Sequence, residues 1–88
     1  MKKDFIVNSG NSPLIIPVPV QSSTSFVFTP DSADYSVEYS CTSKGKTPNW
    51  VPDTEITAVT TQQSVEYGKI TMIRVTLNSG TSVAVDFL

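Results

Sequence analysis

The chain is expected to be all-β, a small antiparallel β-sandwich or flattened barrel of about seven strands with an extended N-terminal arm or edge strand. Three observations lead there. Valine, isoleucine and threonine supply 28 of the 88 residues whereas alanine and leucine together supply six, so β-formers dominate and helix formers are scarce. Turn-forming clusters at 8–12, 21–23, 30–34, 43–49 and 78–80 cut the chain into short runs. Within those runs apolar residues alternate, as in Tyr35, Val37, Tyr39 and Cys41 opposed to Ser36, Glu38, Ser40 and Thr42.

The first expected strand, 4–8, carries Phe5-Ile6-Val7 and ends at Asn8-Ser9-Gly10. The second, 14–20, lies in Pro13-Leu14-Ile15-Ile16-Pro17-Val18-Pro19-Val20, where prolines occupy only odd positions. Alternate residues of a strand aim their N–H groups to the same side, so Pro13, Pro17 and Pro19 strip donors from one edge and leave the other able to pair. Two readings stay open: a proline-protected edge strand that completes the chain's own core, or an arm whose alternate apolar residues dock on a neighbouring subunit.

Runs 24–29 and 35–42 are expected to form a hairpin, with Phe26 and Phe28 as an aromatic pair on the first and Cys41 as a small buried hydrophobe on the second. The segment 43–54 holds Lys44, Lys46, Pro48, Trp50, Pro52 and Asp53 and is expected to be a surface loop. Its Trp50 either caps the open end of the sandwich or protrudes as an interface anchor. A strand over 55–61 follows.

The C-terminal runs 69–77 and 81–88 are expected to form a second hairpin around Asn78-Ser79-Gly80, with Gly80 at positive φ. That register sets Leu77 opposite Thr81, Val75 opposite Val83 and Ile73 opposite Val85, all on the buried face. On the other face Arg74 would lie diagonal to Asp86, at a reach suited to an ion pair. Ile70 and Met72 break the parity and imply a bulge near Met72 or a second apolar surface.

One domain spans 1–88, with 1–23 as arm plus edge strand and 24–88 as the sandwich core. Cys41 is the only cysteine, so an intrachain disulfide is excluded and stability must come from packing or from other copies of the chain. Charged residues are 16% and the net charge is −2, which leaves no basic field for a phosphate backbone; nucleic acid is not an expected partner. Met1-Lys2-Lys3 is followed by too short an apolar run for a signal sequence, and no segment reaches transmembrane length, so no membrane is expected and the chain reads as a soluble intracellular product starting at Met1.

Histidine is absent, which removes the usual general acid–base, and with one cysteine a zinc site is excluded. Asp31 and Asp34 flank a turn and are expected to satisfy its amides, against the alternative of a weak Ca²⁺ site. Neither catalysis nor a cofactor is expected. The candidate interface residues are Leu14, Ile15, Ile16, Pro17, Val18, Pro19, Val20 and Trp50.

The order Val37-Glu38-Tyr39-Ser40, a loop bearing Asn49-Trp50, then Ile73-Arg74-Val75-Thr76 running into Asn78-Ser79-Gly80 and a terminal strand resembles, over residues 35–88, small β-sandwich accessory proteins of tailed-bacteriophage virions. The resemblance implies a non-enzymatic virion structural protein that is assembled in the host cytoplasm. It would bind itself as a homo-oligomer, and a major capsid, head–tail or tail protein, most simply as capsid decoration or cement. The alternative from another class is a carbohydrate- or receptor-binding module in which Trp50 and Tyr67 stack on the ligand.

Overall fold

The computed structural model describes residues 4–19, 21–43 and 45–88; Val20 and Lys44, both named above, lie outside them. The chain is all-β, with six strands in one antiparallel sheet: β1 (Asp4–Asn8), β2 (Leu14–Pro17), β3 (Thr24–Ser40), β4 (Val51–Pro52), β5 (Gln63–Tyr67) and β6 (Met72–Phe87).

Neither expected hairpin forms. The runs 24–29 and 35–42, the latter up to Ser40, lie in the single strand β3, and 69–77 and 81–88, from Met72 to Phe87, in the single strand β6. These two long strands pair with each other, from Phe26 opposite Phe87 to Ser40 opposite Met72. The reason lies in where the turn residues fall. Ala33 is opposite Gly80 and Asp34 opposite Ser79, so the two clusters expected to be turns face one another and together make one corner. Ser32 (φ 46°) and Gly80 (φ 99°) supply the left-handed backbone there. The register slips by one residue between Asp34 and Tyr35, which leaves Asn78 as the extra residue of a bulge. The bulge expected near Met72 is thus at Asn78.

The corner divides the sheet into two halves. In one, β1, the C-terminal part of β6, the N-terminal part of β3 and β5 lie side by side; in the other, β2, the remaining parts of β6 and β3, and β4 do so. A straight 17-residue strand would span roughly 55 Å, yet the longest dimension is 33 Å, because β3 folds back on itself. Tyr67, which pairs with Thr24 at the start of β3, brings its ring to 5.1 Å from that of Tyr39 near the end of the same strand.

Both halves feed one core. Phe26, Phe28, Val7, Val83 and Val85 come from the first, and Ile16, Tyr35, Val37, Ile73 and Val75 from the second. Of the face expected to be buried on β6, Ile73, Val75, Val83 and Val85 are buried, although by a different partner, with Val75 opposite Val37 and Leu14 and Val83 opposite Pro30 and Val7, whereas Leu77 is half-buried and Thr81, at the corner, is exposed. The core also draws on Val7, Ile16 and Val18, so it is not confined to residues 24–88.

The expected strand 55–61 is instead a run of turns, held to the edge of β3 by the Tyr35–Val59 bridge and by Val37 N–H donating to Ile56 O at 2.9 Å. Asp53 organises it. Its backbone oxygen accepts from Ile56 N–H at 3.0 Å and Thr57 Oγ1 at 2.9 Å, and its carboxylate accepts from Glu55 N–H at 3.0 Å and the Tyr67 hydroxyl at 2.7 Å. Burial, then the Asp53 hydrogen bond, raises the Tyr67 phenol well above its ordinary range; burial alone pushes that of Tyr35 up to about 12.

Candidate functional site

Residues 14–17 form an edge strand of the chain's own sheet. Alternation divides the expected interface: Ile16 and Val18 are fully buried and Leu14 packs against the core, whereas Ile15, Pro17 and Pro19 are exposed. The docking arm, in which Leu14, Ile16 and Val18 would fill a neighbour's pockets, is overturned, because this chain's own core already takes them.

The outward residues of β2 open onto the outer face of the second half. Register places Ile15 beside Arg74, Arg74 beside Glu38, and Glu38 beside Pro52 in one row across four strands. Arg74 Nε donates to Glu38 Oε1 at 2.8 Å and a terminal nitrogen reaches the same oxygen at 2.7 Å, replacing the expected partnership with Asp86. The Arg74 guanidinium also sits 4.5 Å from the centroid of the Trp50 ring. Trp50 therefore neither caps an open end nor stands free; it lies half-buried on the outer face. The half-exposed ion pair and the cation–π contact are worth about 0.5–1 kcal/mol each. Their larger consequence is positional: the charge on Arg74 is spent within the face, and the indole is held in place before any partner arrives.

Beside this row lies a groove of about 300 Å³ lined by Ile15, Pro17, Gly45, Thr71 and Met72. Met72 sits here because it faces away from the core, which bears out the second apolar surface expected from its broken parity; Ile70, just before β6, is buried. With Ile15 49% exposed, the face joins an apolar groove to a fixed tryptophan. Of the candidate interface residues, Ile15, Pro17 and Trp50 come together, and Met72, expected only as part of a second apolar surface, joins them.

Other candidates have structural work. Tyr67 is buried between Phe26 and Tyr39, so it cannot share a ligand platform with Trp50 on the outer face. Cys41 is exposed rather than buried, because β3 ends at Ser40 and the alternation stops with it; its thiol lies 3.3 Å from Lys69 O. Asp34 accepts from the Asn78 side chain at 3.0 Å instead of from turn amides. A second cavity of about 310 Å³ adjoins Asp34 at the corner, lined by Ser32, Ala33, Thr60 and Ser79. Among the described residues no three His, Cys, Asp or Glu side chains converge on a metal position, and no helix is long and apolar enough to cross a membrane.

No protein-family model, curated protein or solved structure matches the chain.

Proposed function

We propose that this chain is a non-catalytic assembly protein, a virion component of the decoration or cement type in a tailed phage, which binds copies of itself and a capsid or tail protein. The observation that carries the reading is the outer face of the second half, where the Ile15–Met72 groove lies beside Trp50 fixed over Arg74. Exposed apolar surface next to a pre-positioned tryptophan is the composition of a protein-binding hot spot. The polar groups that elsewhere would carry chemistry are engaged internally, with Asp53 on Tyr67, Asp34 on Asn78 and Glu38 on Arg74. The low charge and the resemblance of residues 35–88 to small phage accessory proteins point the same way.

The arm-docking mechanism gives way to face docking, because Leu14, Ile16 and Val18 are committed to the chain's own core. Light scattering across protein concentrations, alone and after mixing with tailed-phage shells, tests the reading. Association with shells is expected, alongside self-association; a chain that ignores shells at every concentration overturns the virion reading, and one that is also a compact monomer throughout overturns the assembly reading as a whole.

A further inference from the structure

A sheet edge must dispose of a row of backbone N–H and C=O groups, and an open row is a template for another strand. Three of the four outer edges are interrupted by this chain's own residues. On β2, Val18 N–H donates inward to Thr71 O at 2.9 Å, so the even positions face β6 and Pro13, Pro17 and Pro19 face out, leaving Ile15 between two prolines as the one β2 residue with an outward N–H. On β4, Asp53 N–H donates inward to Val37 O at 3.0 Å, which turns the preceding Pro52 outward. On β1, Ile6 and Asn8 aim their peptide groups outward, and the Asn11 side chain takes the Ile6 C=O, donating from Nδ2 at 2.8 Å, and the Asn8 N–H, accepting at Oδ1 at 2.7 Å, which leaves the Ile6 N–H as the open donor between them. A side-chain amide there imitates the peptide group of a neighbouring strand.

The edge of β5 is different. Leu88 N–H donates to Ser25 O at 3.0 Å, so in this half the odd residues of β3 face β6 and the even ones face β5. Gln63, Val65 and Tyr67, opposite Phe28, Phe26 and Thr24, therefore spend their peptide groups on β3, and Ser64 and Glu66 aim theirs outward. Among the described residues no proline, side chain or other backbone group closes this edge. Ser64 and Glu66 are exposed, and Gly68 just beyond faces open space.

We propose that a second copy of the chain adds at this edge, β5 against β5 in antiparallel pairing about a twofold axis through Val65. Three arguments select this occupant and register. With the other edges interrupted by outward prolines or by Asn11, β5 is the edge whose outward residues both keep their peptide groups open, and its contact with the same edge of a second copy is isologous and closed at a dimer. The Val65-centred register overlaps the whole of β5 with itself and pairs outward groups with outward groups, Ser64 exchanging N–H···O bonds with the partner's Glu66 and Glu66 with the partner's Ser64. A two-residue shift one way sets Glu66 against the partner's Glu66, which like-charge repulsion opposes, and the other way loses overlap. The dimer extends the half-sheet of one copy into that of the next. It deepens the assembly reading by naming the surface of self-contact, and leaves the Trp50 face free for another partner.

Sedimentation velocity of the full chain over a concentration series tests it, with hydrogen exchange at Ser64 and Glu66 measured in parallel. A weak dimer is expected whose formation slows exchange at those two amides. Ser64→Lys, which sets a cation against the partner's Glu66 twice, is expected to lower the dissociation constant several-fold, and Ser64→Glu to raise it by a similar factor. Ser64→Pro removes an outward N–H but no bond to β3, and should leave a folded monomer. If that variant fails to fold, the opposed effects of Lys and Glu at the same exposed position carry the test alone. A wild-type monomer at all concentrations overturns the proposal, as does a dimer indifferent to Lys and Glu at position 64. Protection of Ser64 and Glu66 that arises only on mixing with phage shells overturns it too and assigns the edge to a shell protein. A dimer with the expected signatures that ignores shells supports this inference and counts against the virion partner, so the two readings fail separately.

Discussion

Gly80 lies opposite Ala33 at the bend of the two long strands, and a β-carbon on Gly80 would run into the carbonyl of Ser32. The corner brings Phe28 and Tyr35, on either side of it in β3, to 6.1 Å between ring centroids within one core. A single glycine without room for a methyl group thus underlies the closure of the molecule. Gly80→Ala should cost at least about 2 kcal/mol, from the positive φ and the overlap together. Ser32→Gly, at the other left-handed residue, should change stability by less than about 1 kcal/mol, because relief of backbone strain offsets the added freedom of the unfolded chain. Urea midpoints of the two variants check both expectations.

Val75 is fully buried between Val37 and Leu14, whereas its neighbour Thr76 lies on the opposite face of the strand beside Ser36. Val75→Asp buries an unpaired charge and should destabilise by about 4 kcal/mol or more, and Thr76→Asp by about 1 kcal/mol or less. Equal shifts in the denaturant midpoint would mean that β6 is out of register.

Alternation in the sequence finds most of the side chains that go inside and fails at strand ends and at the corner, where Cys41 and Thr81 are exposed. Tyr35, Val37, Ile73, Val75, Val83 and Val85 are all buried, because face selection is a local property of a pleated strand. The same pattern could not say which strand pairs with which. Residues 30–34 and 78–80 carry the chemistry of turns, and a corner needs that chemistry as much as a hairpin does; only their pairing with each other, 47 residues apart in sequence at Ala33–Gly80, distinguishes the two. Arg74 was matched to Asp86 for the same reason, when Glu38 on β3 is its direct neighbour. The proline parity of β2 gave the protected edge correctly, but the protection of β1 by Asn11 depends on a turn geometry that no spacing reveals.

Stability should be constant from neutral pH to about pH 9 and fall above pH 10. Tyr35 and Tyr67 keep their protons in the folded chain beyond the ordinary value of 10.0, Tyr35 to about 12 and Tyr67 further. Above pH 10 the unfolded chain therefore binds fewer protons than the folded one, and stability declines as pH rises through the folded value. Tyr67→Phe should flatten this decline while lowering stability at pH 7, since the Asp53 carboxylate loses its 2.7 Å donor. Denaturant titrations at half-unit pH steps measure both effects.

Deleting residues 1–20 should unfold the chain. The deletion removes Val7, Ile16 and Val18 from the core and strips β6 of both strands on that side. Circular dichroism of the truncated chain reports the outcome, and a folded product with a cooperative melt would restore the arm reading.

The claim that the outer face of the second half is the working surface is tested most directly by co-sedimentation with tailed-phage shells. Wild-type protein should pellet with the shells at a saturable ratio. The double variant Ile15→Ser/Trp50→Ala, whose substitutions lie outside the core, should keep its fold by circular dichroism and remain in the supernatant. A double variant that pellets as fully as the wild type, or a wild-type chain that never pellets, would contradict the account.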